Sequence, residues 1–122
     1  MNRFKSICGW ALQLLLASFF VIQGIVKLTG SPAWISRFRA WGYPDRFYFV
    51  VGLAELLGAV LLLIPRLAKV GAVMLVVVMG GATATHLIHG EPQIITTVVL
   101  ATLLAIVLYM RWGMTTGAGA SN

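Results

Sequence analysis

Residues 47–65 have the sequence FYFVVGLAELLGAVLLLIP, an apolar run in which Glu55 is the only charged residue. A helix needs about 20 apolar residues to cross the hydrocarbon core of a bilayer, and this run is of that length. It does not alternate apolar and polar residues, as the strands of a membrane β-barrel do. We therefore interpret it as a membrane-spanning helix that carries one carboxylate in its interior.

The composition extends this interpretation to the whole chain. Of the 122 residues, 60% are hydrophobic and 10% are charged, whereas a typical soluble domain is about 45–50% apolar and about 25% charged. The mean hydropathy is +0.95. A compact soluble fold of this length could not bury so much apolar surface. The composition therefore argues against a water-soluble or disordered protein and leaves no room for a separate soluble catalytic domain.

Four apolar runs predict an all-α integral membrane protein, folded as an antiparallel four-transmembrane-helix bundle. A basic start precedes the first run, but that run is too long for a signal peptide and no cleavage site follows, so we expect the helix to be retained. Residues 1–112 then form a single transmembrane domain, and the Gly/Ala/Ser/Thr-rich tail, 113–122, is predicted to be disordered. The predicted spans are residues 7–28, 47–64, 70–89 and 93–111.

The net charge of +6 comes from basic residues that lie between the apolar runs or at their ends. That placement is typical of a membrane protein, so nucleic acid is not expected as a partner. An even number of spans places both termini on one side. The basic residues before the first span predict that this side is the cytoplasm.

The first loop, 29–46, is the longest connection. Ser31-Pro32 is a typical helix start, and Trp34, Phe38 and Trp41 follow at helical spacing. We predict a short interfacial helix at about 32–41, between spans one and two, with its aromatic side chains towards the acyl region. An ordinary loop in an aromatic belt is the alternative.

Ionisable residues inside spans are costly and mark functional sites by default. Glu55 lies on a helix face with small residues, which predicts that it points into the bundle. Gln23 and Lys27 share one face of the first span, and His86 lies near the end of the third. Together with Glu55, these residues are expected to converge in one half of the bundle. Two interpretations stay open, a ligand or proton site and a structural Lys27–Glu55 ion pair.

The sequence contains no self-contained catalytic motif. Cys8 is the only cysteine, which excludes an internal disulfide or a redox pair of cysteines. The two histidines and Glu55 lack the spacing of metal ligands, so no metal site is predicted. No nucleotide-binding glycine motif and no Ser-His-Asp set is present, and no cofactor is evident. Whether the protein is an enzyme stays open.

Four segments, in this order, carry a family resemblance: QGIVKL (23–28), RAWGYP (39–44), GLAELLGAVLLLIPR (52–66) and GATATHL (81–87). Together they resemble the DoxX-like family of small four-span membrane proteins. The resemblance implies a four-helix bundle in the bacterial inner membrane, with Lys27, Glu55 and His86 at characteristic positions. It also implies a link to membrane redox systems, since one branch of the family contains a subunit of a thiosulfate:quinone oxidoreductase.

Three functions follow from these observations. The first is a subunit or accessory protein of a membrane redox system, and if it is redox-linked it acts as a subunit of an oxidoreductase. It would bind a quinone or a similar small lipophile at Gln23, Lys27, Glu55 and His86, with Trp34, Trp41 and Tyr43 at the cavity mouth. The alternative is a non-catalytic membrane assembly or binding protein with a structural Lys27–Glu55 pair. The last is a small oligomeric transporter. The expected partners are the bilayer, a small lipophilic ligand, and further copies or a larger membrane complex.

Overall fold

The computed structural model describes the backbone of residues 3–121 and the side chains of residues 3 and 6–111. The described chain is all-helical and contains no strand, which confirms the predicted all-α class. The predicted disorder of the tail, 113–122, falls on residues outside the described side chains and stays a prediction. The helices are α1 (Arg3–Leu28), α2 (Pro32–Ala40), α3 (Phe47–Leu62), α4 (Ala68–Ile88) and α5 (Ile94–Ser121).

Three of the described segments are long and apolar enough to cross a membrane: Ser6–Leu28, Ala68–Ile88 and Ile94–Arg111. The α3 helix is also apolar but has only 16 residues. Its end tightens into i→i+3 turns, in which the N–H groups of Leu63 and Ile64 donate to carbonyls three residues earlier, both at 3.1 Å. Helices commonly end in such tighter turns. The α3 helix is therefore slightly shorter than the predicted span 47–64.

The four longer helices form a closed ring in chain order. The α1 helix packs against α3 and α5, and α4 packs against α3 and α5. Gly24 lies against Gly52, whereas Gln13 contacts Leu62, so α1 and α3 run antiparallel. The α2 helix packs on α3. We call the end of the ring that carries α2 the cap end, and the opposite end, which carries Gln13, the terminal end.

The interior of the ring is apolar, and all four longer helices contribute to it. Its fully buried side chains include Phe20, Leu62, Leu75 and Leu104. The outer surface is also apolar, since Leu15 is 71% exposed and many other large hydrophobic side chains are exposed. An apolar surface this extensive is rare in soluble monomers. It fits a protein that is surrounded by lipid.

Two glycine contacts set how closely the helices approach. A Cβ atom on Gly24 would lie 2.8 Å from the carbonyl oxygen of Gly52, across the α1–α3 interface. A Cβ atom on Gly71 would lie 2.6 Å from the carbonyl oxygen of Gly58, across the α3–α4 interface. Small residues at helix interfaces allow backbones to come this close in membranes. The α3 helix is therefore held tightly on both sides.

Candidate functional site

The cap end contains a buried ion pair between α1 and α3. The Lys27 Nζ atom lies 2.8 Å from Glu55 Oε1, and the two side chains are 5% and 2% exposed. At this distance the ammonium and the carboxylate are in direct contact. The pair therefore neutralises both charges by electrostatic contact inside an apolar surrounding.

The two glycines explain why this lysine and this glutamate meet. Gly24 precedes Lys27 by three residues, and Gly52 precedes Glu55 by three residues, so each glycine lies one turn from its charged partner. Side chains in a helix lean towards its N-terminus. Since α1 and α3 are antiparallel, Lys27 and Glu55 lean towards each other. A Cβ atom on Gly52 would lie 2.7 Å from Lys27 Cβ, so the lysine stem crosses α3 where no side chain stands.

The indole of Trp34, on α2, covers the lysine. Lys27 Nζ lies 3.9 Å from the centroid of the Trp34 ring, and the Arg37 guanidinium lies 5.0 Å from it. A cation above an indole face is attracted by the negative charge density of the ring. The Lys27 ammonium therefore sits between a carboxylate from α3 and an aromatic ring from α2, which ties three helices together.

A second polar cluster joins the loop after α2 to the turn after α4. Glu91 Oε1 lies 2.7 Å from His86 Nδ1, and the Trp41 indole N–H donates to both Glu91 oxygens at 3.2 Å. The Trp41 and His86 rings meet edge to face, with centroids 5.5 Å apart. The hydrogen bond with His86 is the main cause that lowers the pKa of Glu91 below its ordinary value. The Glu91 carboxylate is thus an anchor that holds Trp41 to the end of α4.

The residue after α2 that completes the cap is Tyr43. Its hydroxyl group forms a hydrogen bond with the hydroxyl group of Thr85 on α4. Phe38 is buried at the centre of the aromatic cluster, and its ring contacts those of Trp34, Trp41, Tyr43, Phe47 and Tyr48. The cap is therefore an aromatic layer with polar anchors on α1, α4 and the turn before α5.

The terminal end carries a third buried polar group. The Gln13 side chain donates to the Leu62 carbonyl oxygen at 2.9 Å and accepts a hydrogen bond from Arg111 Nε. The Arg111 guanidinium lies 4.5 Å from the centroid of the Trp10 ring. The last carbonyl groups of a helix have no partner within that helix. Gln13 supplies one for α3 and links α1, α3 and α5.

The DoxX-like family matches residues 11–109, about four-fifths of the chain. The chain belongs to the DoxX-like family. The matched range contains every residue of the cap and of the Lys27–Glu55 pair. This DoxX-like chain is also 29% identical over 105 residues to the "Uncharacterized protein YdgD" of Bacillus subtilis strain 168, a match that covers 81% of the chain and 92% of that relative. No solved structure matches it.

In this DoxX-like protein the predicted site residues fall into two groups. The structure brings Lys27 and Glu55 together, while Gln23 lies half-buried one turn before Lys27 on α1. His86, expected to join them, pairs with Glu91. The groups are connected through α2 and the residue after it, because the rings of Trp34, on α2, and Trp41, directly after α2, lie 6.5 Å apart.

The residues predicted for a cavity mouth, Trp34, Trp41 and Tyr43, each have a partner on another element. Glu91, which the sequence places in a turn, is the member of this cluster that the sequence analysis did not predict. The available signal was its spacing of five residues from His86 across Gly90, which has a φ of 64°. A positive φ at a glycine after a helix reverses the chain. That reversal brings the Glu91 carboxylate back to His86.

Proposed function

We propose that this DoxX-like protein is a non-catalytic subunit of a larger membrane assembly, with Lys27–Glu55 as a structural pair that fixes the register of α1 on α3. The 2.8 Å contact beneath Trp34 is the observation that supports the structural role of the pair. Each charge is already balanced by the other, so neither needs a ligand. Buried ion pairs contribute little net stability but select one arrangement of helices over others.

The proposed membrane arrangement has four spans, with α3 as the short one. Residues 47–64 extend over about 27 Å at about 1.5 Å per residue, close to the thickness of about 30 Å of the hydrocarbon core. The α2 helix lies in the interface, and both termini are in the cytoplasm of a bacterium. Fusion of a fluorescent protein that folds only in the cytoplasm tests this at the C-terminus. If the C-terminal fusion is dark while an N-terminal fusion is fluorescent, the two termini lie on opposite sides and the proposed arrangement is contradicted.

Replacement of the charges one at a time and together tests the structural role. Lys27→Met or Glu55→Leu alone leaves one charged group buried without its partner, so each is expected to lower the melting temperature in detergent. The double variant Lys27→Met/Glu55→Leu removes both charges and is expected to recover much of the loss. The size of the protein's complex on a native gel should change in the same way: it should fall in each single variant and recover in the double variant.

Two outcomes separate the structural role from direct binding. A double variant that melts like the wild type and keeps the size of the complex supports the proposal. A double variant that melts like the wild type but runs as a smaller species contradicts it, because the charges then contact the partner or ligand themselves.

The second candidate is a redox-associated subunit that binds a quinone or a similar small lipophile at the same pair. It is favoured by the buried position of the pair beneath the Trp34 ring, where a charged lysine and a carboxylate lie together in an apolar surrounding. The lysine ammonium has three N–H donors, and a carbonyl group of a lipophile that enters beneath Trp34 would accept one. Titration of the purified protein with a short-chain quinone tests this. Saturable binding that Glu55→Gln weakens supports the candidate, and no binding by the folded wild type contradicts it.

A further inference from the structure

A pocket of about 250 Å³ lies between α2 and the start of α3, outside the buried Lys27–Glu55 pair. Its charged lining consists of Arg39, Arg46 and Asp45, and its aromatic lining includes Phe38 and Tyr48. The volume is several times the share of about 30 Å³ that one water molecule takes in the liquid. The pocket is therefore large enough for a small polar group of several non-hydrogen atoms.

The two arginines are available to a ligand. Both side chains are exposed, and within the part of the chain that the structure describes neither forms an ion pair with a carboxylate. The planar guanidinium group of arginine matches the oxygen pairs of a phosphate. Asp45 is exposed beside them, so the pocket combines two positive charges with one negative charge.

Arg46 provides an independent indication of function. It has a φ of 68°, and among the described residues it is the only one besides glycines with a positive φ. Residues with a Cβ atom adopt this left-handed conformation at an energetic cost, which glycine avoids. Strained residues of this kind cluster at binding sites. The strain therefore points to a use for the arginine side chain at this position.

The position of the pocket matches the headgroup level of a bilayer. The apolar run of α3 begins at Phe47, directly after Arg46, and aromatic residues surround the pocket, as they do at membrane interfaces. Further along α3, Val50, Leu53 and Leu57 are about half exposed and follow one another at helical spacing. Exposed apolar residues on the helix that bears the pocket provide a surface for acyl chains.

We propose that this pocket binds the headgroup of an aminophospholipid, a phosphodiester linked to a primary ammonium group. The phosphate contacts Arg39 and Arg46, and the ammonium contacts Asp45 beside the aromatic rings, which also attract cations. The opposite charges on the two parts of this headgroup match the mixed lining better than an anionic lipid, which would leave Asp45 unpaired. The proposal rests on the membrane placement described above and is independent of the role of Lys27–Glu55.

Lipid retention measured by mass spectrometry tests the proposal. The full chain is purified from vesicles of equal phosphatidylethanolamine and phosphatidylglycerol content, and the bound lipids are counted. The wild type should retain phosphatidylethanolamine in preference. Arg39→Gln/Arg46→Gln should retain up to about 30-fold less, since each exposed arginine–phosphate ion pair strengthens binding by up to about fivefold. Arg66→Gln, an exposed arginine outside the pocket, is the matched control and should retain lipid as the wild type does.

Two single variants separate binding from folding. Arg46→Gly relieves the left-handed backbone, so it should keep or raise the melting temperature while lipid retention falls. Asp45→Asn should lower the preference for phosphatidylethanolamine over phosphatidylglycerol about fivefold, the upper range for one exposed ion pair. Retention by Arg46→Gly equal to that of the wild type would overturn the proposal, because the arginine then acts on the fold alone.

Further outcomes address the identity of the ligand. Preference for phosphatidylglycerol that Asp45→Asn leaves unchanged overturns the assignment of an aminophospholipid. Soluble phosphoethanolamine is titrated against the delipidated protein as a separate arm. Tight binding there, without lipid retention from vesicles, overturns the lipid source and assigns the pocket to a free phosphorylated amine. Native-gel size is recorded on the same samples, so a failure here is distinguishable from a failure of the proposed assembly role.

Discussion

Lys27 and Gly52 cross at the α1–α3 interface so closely that a Cβ atom on Gly52 would lie 2.7 Å from Lys27 Cβ. The lysine stem passes over α3 at this glycine and reaches Glu55 one turn further along. The ion pair therefore depends on the absence of a side chain at residue 52. Gly24, one turn before Lys27, allows the backbones of α1 and α3 to approach each other next to this crossing.

Alanine at Gly24 is therefore expected to destabilise the bundle. The new methyl group would meet backbone atoms of Gly52 and Leu56 at 2.8 and 2.9 Å, and overpacking of this kind costs about 1–3 kcal/mol. A gain in helix propensity of up to about 1 kcal/mol offsets part of it. Gly81→Ala is the matched control, because nothing lies within 4 Å of its Cβ position, and it should be neutral or stabilising. Thermal unfolding in detergent measures both, and a Gly24→Ala protein as stable as Gly81→Ala would contradict the close contact.

Removal of the Trp34 ring is expected to loosen the cap. The ammonium of Lys27 lies 3.9 Å from the ring centroid, and a cation–π contact shielded from water contributes about 2 kcal/mol. Trp34→Leu should lower the melting temperature and expose α2 to trypsin at Arg37 and Arg39. Trp34→Phe keeps an aromatic face, so its melting temperature and its resistance to trypsin should lie between those of Trp34→Leu and the wild type. Equal trypsin resistance of Trp34→Leu and the wild type would show that the other anchors hold α2 without the indole.

The Lys27–Glu55 pair could be predicted because an apolar run contains few charged residues, and each of them is easily identified as a group that needs a partner. In residues 47–65 a single carboxylate has nowhere to be solvated, so a search for its partner leads to the nearest basic residue of the preceding span. The short helix α2 was also predictable, since Ser31-Pro32 and the aromatic spacing are local signals. Both features depend on residues that are close in sequence or restricted by the membrane.

The His86–Glu91 contact could not be predicted in the same way. Glu91 lies in a turn, where a charged residue is ordinarily solvated, and only its spacing from His86 across Gly90 distinguishes it from Asp45. Its role arises because Gly90 reverses the chain and because Trp41, 50 residues earlier, is brought to the same place. The Gln13–Arg111 contact likewise joins residues 98 apart in sequence. The Trp41–Glu91 and Gln13–Arg111 contacts follow from the packing of distant elements, which single helices do not encode.

The Glu91 anchor is expected to make the stability of the cap depend on pH. Its pKa is lowered from 4.5, chiefly by the hydrogen bond with His86. A carboxyl group with a lowered pKa in the folded state stabilises that state above its unfolded pKa, and the contribution is lost as the pH falls through the folded value. The melting temperature of Glu91→Gln should therefore lie below that of the wild type at pH 6, and the difference should shrink below about pH 4.5.

His86→Leu provides the control for this pH effect, because leucine has no group that can donate a hydrogen bond to Glu91. Without the imidazole, the main cause of the lowered pKa is gone, so Glu91→Gln should change the pH dependence less in that background. The melting temperatures of the four proteins from pH 3 to pH 7 form the test. A difference between wild type and Glu91→Gln that is constant over this range would contradict the linkage.

Gln13→Leu is expected to destabilise the terminal end. The amide both donates to the Leu62 carbonyl oxygen and accepts from Arg111 Nε, and loss of a partner for a buried polar group costs about 1–3 kcal/mol. Gln13→Glu keeps an acceptor for Arg111 but loses the donor to Leu62, so it should be less damaging than Gln13→Leu. Denaturant unfolding in detergent ranks the three proteins. If Gln13→Leu matches the wild type, Gln13 is not the partner that satisfies the end of α3.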